Sequence, residues 1–143
     1  MDIRVENIRV QIDPRIIDKT SINRAMALRY ADMVLQTFGA SGTGRPSEWP
    51  ALSSAYAKRV SPPVPTLYRS GNLAHSIEAS WDREAGHVRC GTGKIGVIAY
   101  AHQFGVPSRN LPARPFFPIQ PNGQPTQAAQ DAMQKTATEA AMH

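Results

Sequence analysis

Ala99-Tyr100-Ala101-His102-Gln103-Phe104-Gly105, followed at once by the proline-rich run Pro107 to Pro121, is the stretch on which the fold turns. Val97, Tyr100, Ala101 and Phe104 fall at i, i+3, i+4 and i+7, which predicts a short amphipathic helix with these residues on its apolar face. Gly105 stands where a left-handed residue would end that helix. Beyond it, Pro112, Pro115, Pro118 and Pro121 recur every third residue, the pitch of a polyproline II segment. Proline donates no ladder hydrogen bond, so this run is excluded from the interior of a sheet. It nonetheless carries Arg114, Phe116 and Phe117, residues suited to an arm lying against a surface.

Working outward, the hairpin comes next. Ile77, Ala79 and Trp81 alternate on one parity and are expected inward, as are Val88 and Cys90 on a second strand; Asp82 to Gly86 supplies the turn of a hairpin over 76–91. Upstream, Ile3 and Val5 alternate on one parity and Ile8, Val10 and Ile12 on the other. This predicts a strand over 2–12 with a bulge near Glu6-Asn7. A long helix follows. Asp13-Pro14 offers one start and Thr20-Ser21 a second, with an end near Phe38. Ile22, Met26, Tyr30 and Met33 form one stripe, and Leu28, Ala31, Leu35 and Phe38 a neighbouring one, the wide face of a helix covering a sheet. Gly39 to Gly44 reads as a loop, Ser53 to Arg59 as a helical turn or two, and Val60 to Pro65 as broken by prolines. The tail is alanine-rich: Thr126 is a candidate N-cap, with Ala129, Ala132, Met133, Thr136 and Ala140 on one helical face.

The expected fold class is therefore α+β: a small antiparallel sheet covered by a long N-terminal helix, with a proline-rich arm and a C-terminal helix. The expected organisation is one domain over 1–123, including the arm at 105–121, and an alanine-rich helix or tail over 124–143. A chain of 143 residues supports one modest core. The net charge of +5 is concentrated in residues 39–123, which hold nine basic and four acidic groups. That excess suits nucleic acid or an acidic protein surface as well as plain solvation. The lone Cys90 excludes an internal disulfide and reads as a buried inert thiol. No apolar stretch approaches the ~18 residues of a membrane span, and no apolar leader follows Asp2 and Arg4, so neither membrane nor signal peptide is expected.

Candidate chemistry is sparse. His75, His87, His102 and His143 show no i, i+4 pair and no cysteine at ligand spacing, so no metal site is expected. Ser70, His75 and Asp82 could be assembled as a triad, but no nucleophile-elbow pattern surrounds Ser70. Glu48, Glu78, Asp82 and Glu84 are the only acids of the middle section, with the last two in the predicted turn. Trp49, Tyr56, Tyr68 and Trp81 among Lys58, Arg59 and Arg69 make an aromatic–basic set of the type that binds single-stranded nucleic acid. The glycines at 39–44 lack the lysine–serine pair of a nucleotide loop. No enzyme activity and no cofactor are expected.

The order of the motifs is more specific than any one of them. Trp49-Pro50-Ala51-Leu52, basic Lys58-Arg59, Leu67-Tyr68-Arg69-Ser70-Gly71-Asn72-Leu73 with Ser76, Tyr100 to Gly105, and Pro112-Ala113-Arg114-Pro115-Phe116 together resemble the phage virion morphogenesis family. These are the tail completion or neck proteins of Mu-like tailed phages. The likeness spans roughly residues 22–119. It departs at Ser70, where threonine is expected, and does not extend to the alanine-rich tail. The resemblance implies a small α/β structural subunit of the virion, made in the bacterial host cytoplasm. Six or twelve copies would close into a ring at the head–tail joint, beside neighbouring neck, tail-tube or portal-side proteins, with DNA passing through a central channel. A head-side adaptor or stopper occupies the same joint; a nucleic-acid-binding accessory protein is the alternative of a different class. Under the resemblance, Trp49, Leu67, Gly71, Leu73, His102, Gln103, Phe104, Gly105, Pro112, Arg114, Pro115 and Phe116 are the motif residues and candidate subunit contacts. In the contact reading Arg114 pairs a neighbour's carboxylate and Phe116 fills its pocket; in the competing reading both anchor the arm on its own domain.

Overall fold

The structure, a computed structural model, describes residues 2–4, 18–39, 43–50, 71–91 and 93–142. The expected bulge at Glu6-Asn7, the Asp13-Pro14 helix start, the Ser53–Arg59 turns and Leu67 lie outside the described residues. Within them the chain is α+β. Strand β1 (Asp2–Arg4) is followed by helix α1 (Lys19–Gln36), a short helix α2 (Asn72–His75), strands β2 (Ile77–Trp81) and β3 (Gly86–Cys90), helix α3 (Gly93–Phe104), a 3-10 turn (Pro107–Arg109) and helix α4 (Gln127–Ala141). The sheet is antiparallel in the order β1-β3-β2, with Ile77 opposite Cys90, Ala79 opposite Val88 and Ile3 opposite Val88 on the far side.

The hairpin forms where alternation places it. Val88 and Cys90 are fully buried under α1, and Ile77 and Ala79 are half-buried beside them. Trp81 keeps the parity of Ile77 and Ala79 but not the expected burial. It closes β2 at the hairpin turn, 37% exposed, with the Arg24 guanidinium 5.6 Å from its ring centroid. The turn is held from both sides. Asp82 Oδ1 accepts from Glu84 N (2.7 Å) and Ala85 N (2.9 Å), and the buried Asn23 of α1 donates to Asp82 O (3.0 Å) and Arg83 O (3.2 Å). Asn23 thus sits on a buried helix face without an unmet polar group, as burial requires.

Helix α1 is capped by Asp18, whose carboxylate accepts from Ser21 N (3.2 Å) and Ser21 Oγ (2.7 Å). These two bonds stabilise the charged form and hold the carboxyl below its ordinary range. The start is therefore at Asp18 rather than Thr20-Ser21, which form the first turn. The buried residues are Ile22, Asn23, Met26, Ala27, Tyr30, Ala31 and Val34, continued by Thr37 and Phe38. At ~100° per residue these cover about half the helix circumference. Leu28 and Leu35 fall ~40–60° beyond the Ala31 edge of that arc, and both are exposed. The second expected stripe is thus Ala27, Ala31, Val34 and Phe38, with the leucines outside it.

Helix α4 begins at its expected cap, Thr126, whose side chain accepts from Ala129 N (3.2 Å). It packs on α1 through Ala129, Met133 and Ala137, all fully buried, with Ala132 and Ala140 half-buried alongside. The small alanines let the two backbones approach closely, and Met133 fills what remains. Met133→Ala is expected to lower unfolding free energy by about 2–5 kcal/mol, read by urea denaturation. A cost under about 0.5 kcal/mol, the scale of a surface change, would show that α4 does not share the core.

Candidate functional site

The two halves of the motif meet at the end of α3. Gly105 terminates that helix with φ +75°, its N–H bonded to Ala101 O at 2.7 Å. A Cβ there would lie 2.8 Å from Ala113 N and 3.0 Å from Leu111 O, so only glycine admits the returning chain. The return is a tight loop. Val106 and Leu111 exchange both backbone hydrogen bonds (2.9 and 3.1 Å), the 3-10 turn fills the tip, and Asn110 takes the left-handed position at φ +53°. Arg114 N then donates to His102 O at 2.7 Å, tying the arm to the last turn of α3.

Pro115-Phe116-Phe117-Pro118 is the centre of the interlock. Prolines lack an N–H, so this segment has only two backbone donors, and both are buried with their phenylalanines. Gln103 Oε1 accepts both, from Phe116 N at 3.0 Å and Phe117 N at 2.9 Å, and Gln103 Nε2 donates to Phe117 O at 3.2 Å. The carbonyls are met as well. Pro115 O accepts from Trp49 Nε1 (2.8 Å), Phe117 O also from Ile119 N (2.8 Å), and Pro118 O from Thr126 N (3.1 Å). Thr37 Oγ1 lies 3.3 Å from Phe116 O and 2.6 Å from Val34 O. With its polar groups matched, the segment can lie in the core, where a continuous set of rings surrounds it. Trp49 meets Phe38 edge-on at 6.2 Å, Phe38 meets Phe116 at 5.3 Å, Phe116 meets Phe117 at 5.3 Å and Phe117 meets Tyr30 at 6.3 Å.

Two arginines fasten this core at its rim. Arg114 is nearly buried and its Nε donates to Pro50 O at 2.9 Å. Arg45 lies 3.6 Å over the Trp49 ring, and donates from Nε to Thr37 O (2.8 Å) and from a terminal nitrogen to Gly39 O (3.2 Å). It thereby satisfies carbonyls left open at the end of α1, where a cation is also favoured by the helix dipole. Burial lowers the pKa of both guanidiniums, from a value high enough that they stay charged near neutrality.

Most of the described motif residues fall into two groups. Trp49, His102, Gln103, Gly105, Arg114, Pro115 and Phe116 converge in the interlock. Gly71 (φ +76°) and Leu73 instead shape the start of α2, where Leu73 is buried and Ser76 Oγ donates to Leu73 O at 2.6 Å. Phe104 is half-buried against Tyr100 (ring centroids 4.7 Å), and Pro112 is exposed. Phe116 has no exposed surface, and Arg114 is turned onto Pro50. The arrangement is the intramolecular anchor; a side chain enclosed by Phe38 and Phe117 has no surface with which to fill a neighbour's pocket. The expected apolar face of α3 is corrected too. Ala99 and Gln103 face inward, while Val97 is 71% and Tyr100 61% exposed, about 160° and about 100° around the helix from Ala99.

Sequence reading did not single out Arg45 or Thr37, and named Pro50 only within the Trp49-Pro50-Ala51-Leu52 motif. Only the position of Arg45, as the first cation after the helix end, hinted at a cap. Burial pushes the Cys90 thiol up, against a smaller opposing effect of Ser76, and Cys90 is enclosed. Burial likewise raises the Tyr30 phenol, whose hydroxyl meets no partner among the described residues. His75 and Asp82 flank β2 at opposite ends, which keeps them apart as a catalytic pair. Among the described residues no three His, Cys, Asp or Glu side chains converge on a metal position. No family model, curated protein or solved structure matches the chain.

The interlock makes two stability predictions. Gly105→Ala is expected to cost more than about 1 kcal/mol, from positive φ and backbone overlap. Gln103→Ala is expected to cost at least about 2 kcal/mol by orphaning two buried donors at ~1–3 kcal/mol each. Urea titration of each variant tests both, and near-wild-type values would remove the clamp from the account. A third prediction concerns pH. Among the described residues His102 Nδ1 is buried without a partner, and burial, followed by the nearby Arg114 charge, lowers the imidazole pKa below 6.5. The unfolded chain therefore binds this proton first. Stability is expected to fall as pH drops below 6.5 and to level off, for this group, once pH passes the folded-state value. Urea midpoints over that range should decline in the wild type and lose this component in His102→Gln.

Proposed function

We propose that the protein is a structural virion component of a phage head–tail joint, a ring-forming tail completion or neck subunit without catalytic activity. One observation supports the reading above others: the two motif halves, His102 to Gly105 and Pro112 to Phe116, are a single structural unit in which Gln103 seats the arm. In the resembled family the same pair identifies a subunit whose task is shape rather than reaction. A core fastened this way gives a rigid building block, and rigid blocks lose little conformational entropy on assembly. In this reading the protein is made in the bacterial host cytoplasm and resides in the virion. Its neighbours are copies of itself and of neck, tail-tube or portal-side proteins, and DNA passes through the ring. Head-side adaptor or stopper describes a neighbouring position in the same joint. Among the described residues no helix is long and apolar enough to cross a membrane.

Native mass measured across a concentration series, with negative-stain images of the largest species, tests the proposal. Closed rings of six or twelve copies are expected. A concentration-independent monomer that binds DNA with a steep salt dependence would instead favour the nucleic-acid-binding alternative.

A further inference from the structure

Strand β2 is an edge of the sheet. Gly91 N donates to Ser76 O (3.3 Å) and Asp82 N to Ala85 O (2.9 Å), so the even-numbered residues of β2 turn their backbone groups to β3. Those of Ile77, Ala79 and Trp81 point the other way, and among the described residues nothing bonds to them there. Such a row is a template for another strand unless the sequence blunts it. Ile77-Glu78-Ala79-Ser80-Trp81 holds no proline and no lysine, and its unbroken register with β3 leaves no bulge.

The flank of α1 above this edge is exposed and patterned. Arg24 reaches Trp81, so the Arg24 side of the helix lies over β2. Leu28 and Asp32 follow at four-residue spacing, each ~40° further round, and Leu35 lies ~20° from Leu28. All are exposed, Leu28 at 42% and Leu35 at 44%. Helix α1 starts over the hairpin turn, where Asn23 is bonded, and packs back along β2 and β3. From Trp81 to Ala79 the strand covers ~7 Å, and from Arg24 to Leu28 the helix rises ~6 Å, which sets Leu28 level with Ala79.

We propose that this edge joins the same edge of a second copy of the chain, β2 antiparallel to β2 about a two-fold axis at Ala79 and Leu28. The pattern of both elements fits that axis. In the strand, Ala79 meets Ala79, Ile77 meets Trp81 on the face beneath α1, and Glu78 meets Ser80 on the other face, so no like charges are opposed. In the helix, Leu28 meets Leu28, and Arg24 of each copy stands opposite Asp32 of the other. Asp32 takes its bonds from Arg29 (3.0 Å) and Gln36 (3.1 Å) on Oδ2, leaving Oδ1 for the second copy. An unrelated strand would use the edge but not the paired charges and leucines; a second copy supplies both in one register. The contact is isologous and closes at two copies, so it is separate from the head-to-tail contact of a ring and does not rest on the head–tail reading.

Native mass across a concentration series tests it in four variants, each shown by circular dichroism and thermal melting to be folded. Ala79→Pro removes the central donor of the open edge and no bond to β3. Leu28→Glu sets two carboxylates on the axis, and Arg24→Asp and Asp32→Arg each place like charges opposite one another. Each variant is expected to need about tenfold or more protein to form pairs. An equimolar mixture of the Arg24→Asp and Asp32→Arg proteins should recover most of the loss, because opposite charges then meet at both positions. Damage within either fold would not be repaired by mixing. Pairs unchanged by Leu28→Glu and both charge reversals, or a mixture no better than its components, overturn the proposal. So does a wild type that stays monomeric at every concentration, which would leave the edge to a strand of another protein. Rings that are unaffected by all four variants would overturn this contact while the ring reading stands. Two-copy species lost in the variants, with no ring at any concentration, would support the contact while that reading fails.

Discussion

One carboxamide holds the architecture together. Gln103 supplies both an acceptor for two adjacent buried N–H groups and a donor to the following carbonyl. The need arises from the sequence it serves. A segment bounded by Pro115 and Pro118 cannot join a sheet ladder, yet its two phenylalanines have strong reason to be buried, at ~1.5–3 kcal/mol each. Burying Phe116 and Phe117 with their backbone donors unmet would cost ~1–3 kcal/mol per donor, which would offset much of that gain. The glutamine removes the penalty, and the apolar term wins.

The orientation of α3 follows from this. A helix of its composition would ordinarily turn Val97, Tyr100 and Phe104 inward. Instead the Ala99–Gln103 edge faces the arm, and the larger apolar residues remain at the surface. Turning them in would orphan two buried donors at ~1–3 kcal/mol each, which offsets much of what their burial would gain. Gly105 then adds a steric constraint, because a Cβ there would meet Ala113 N at 2.8 Å and Leu111 O at 3.0 Å. Helix orientation, arm path and surface character are therefore one coupled solution rather than three.

Where side-chain type alone decides an element, the sequence was legible. The alternation of Val88 and Cys90, the left-handed Gly105 and the Thr126 cap all appear where their chemistry calls for them. Leu28 and Leu35 were misassigned because periodicity marks apolar residues without showing how wide an arc the neighbours can cover. Trp81 kept its strand parity but lay at the end of the strand, where its ring meets Arg24 and solvent. The interlock was the least visible part. Hydrophobic patterning counts side chains, whereas Gln103 is placed by backbone donors thirteen and fourteen residues away. The flanking prolines were the available clue, since they announce how few donors the Phe116-Phe117 step must satisfy.

The same fastening carries beyond the arm to the C-terminal helix. Pro118 O accepts Thr126 N, and Thr126 then caps α4, so the position of the arm fixes the start of the helix that buries Met133 against α1. On the other side, Trp49 and Arg45 link the arm to the end of α1. The arm is thus bonded to α3, α4 and the segment after α1, and loosening it would release all three together. That coupling makes the exposed faces of the block dependable in shape.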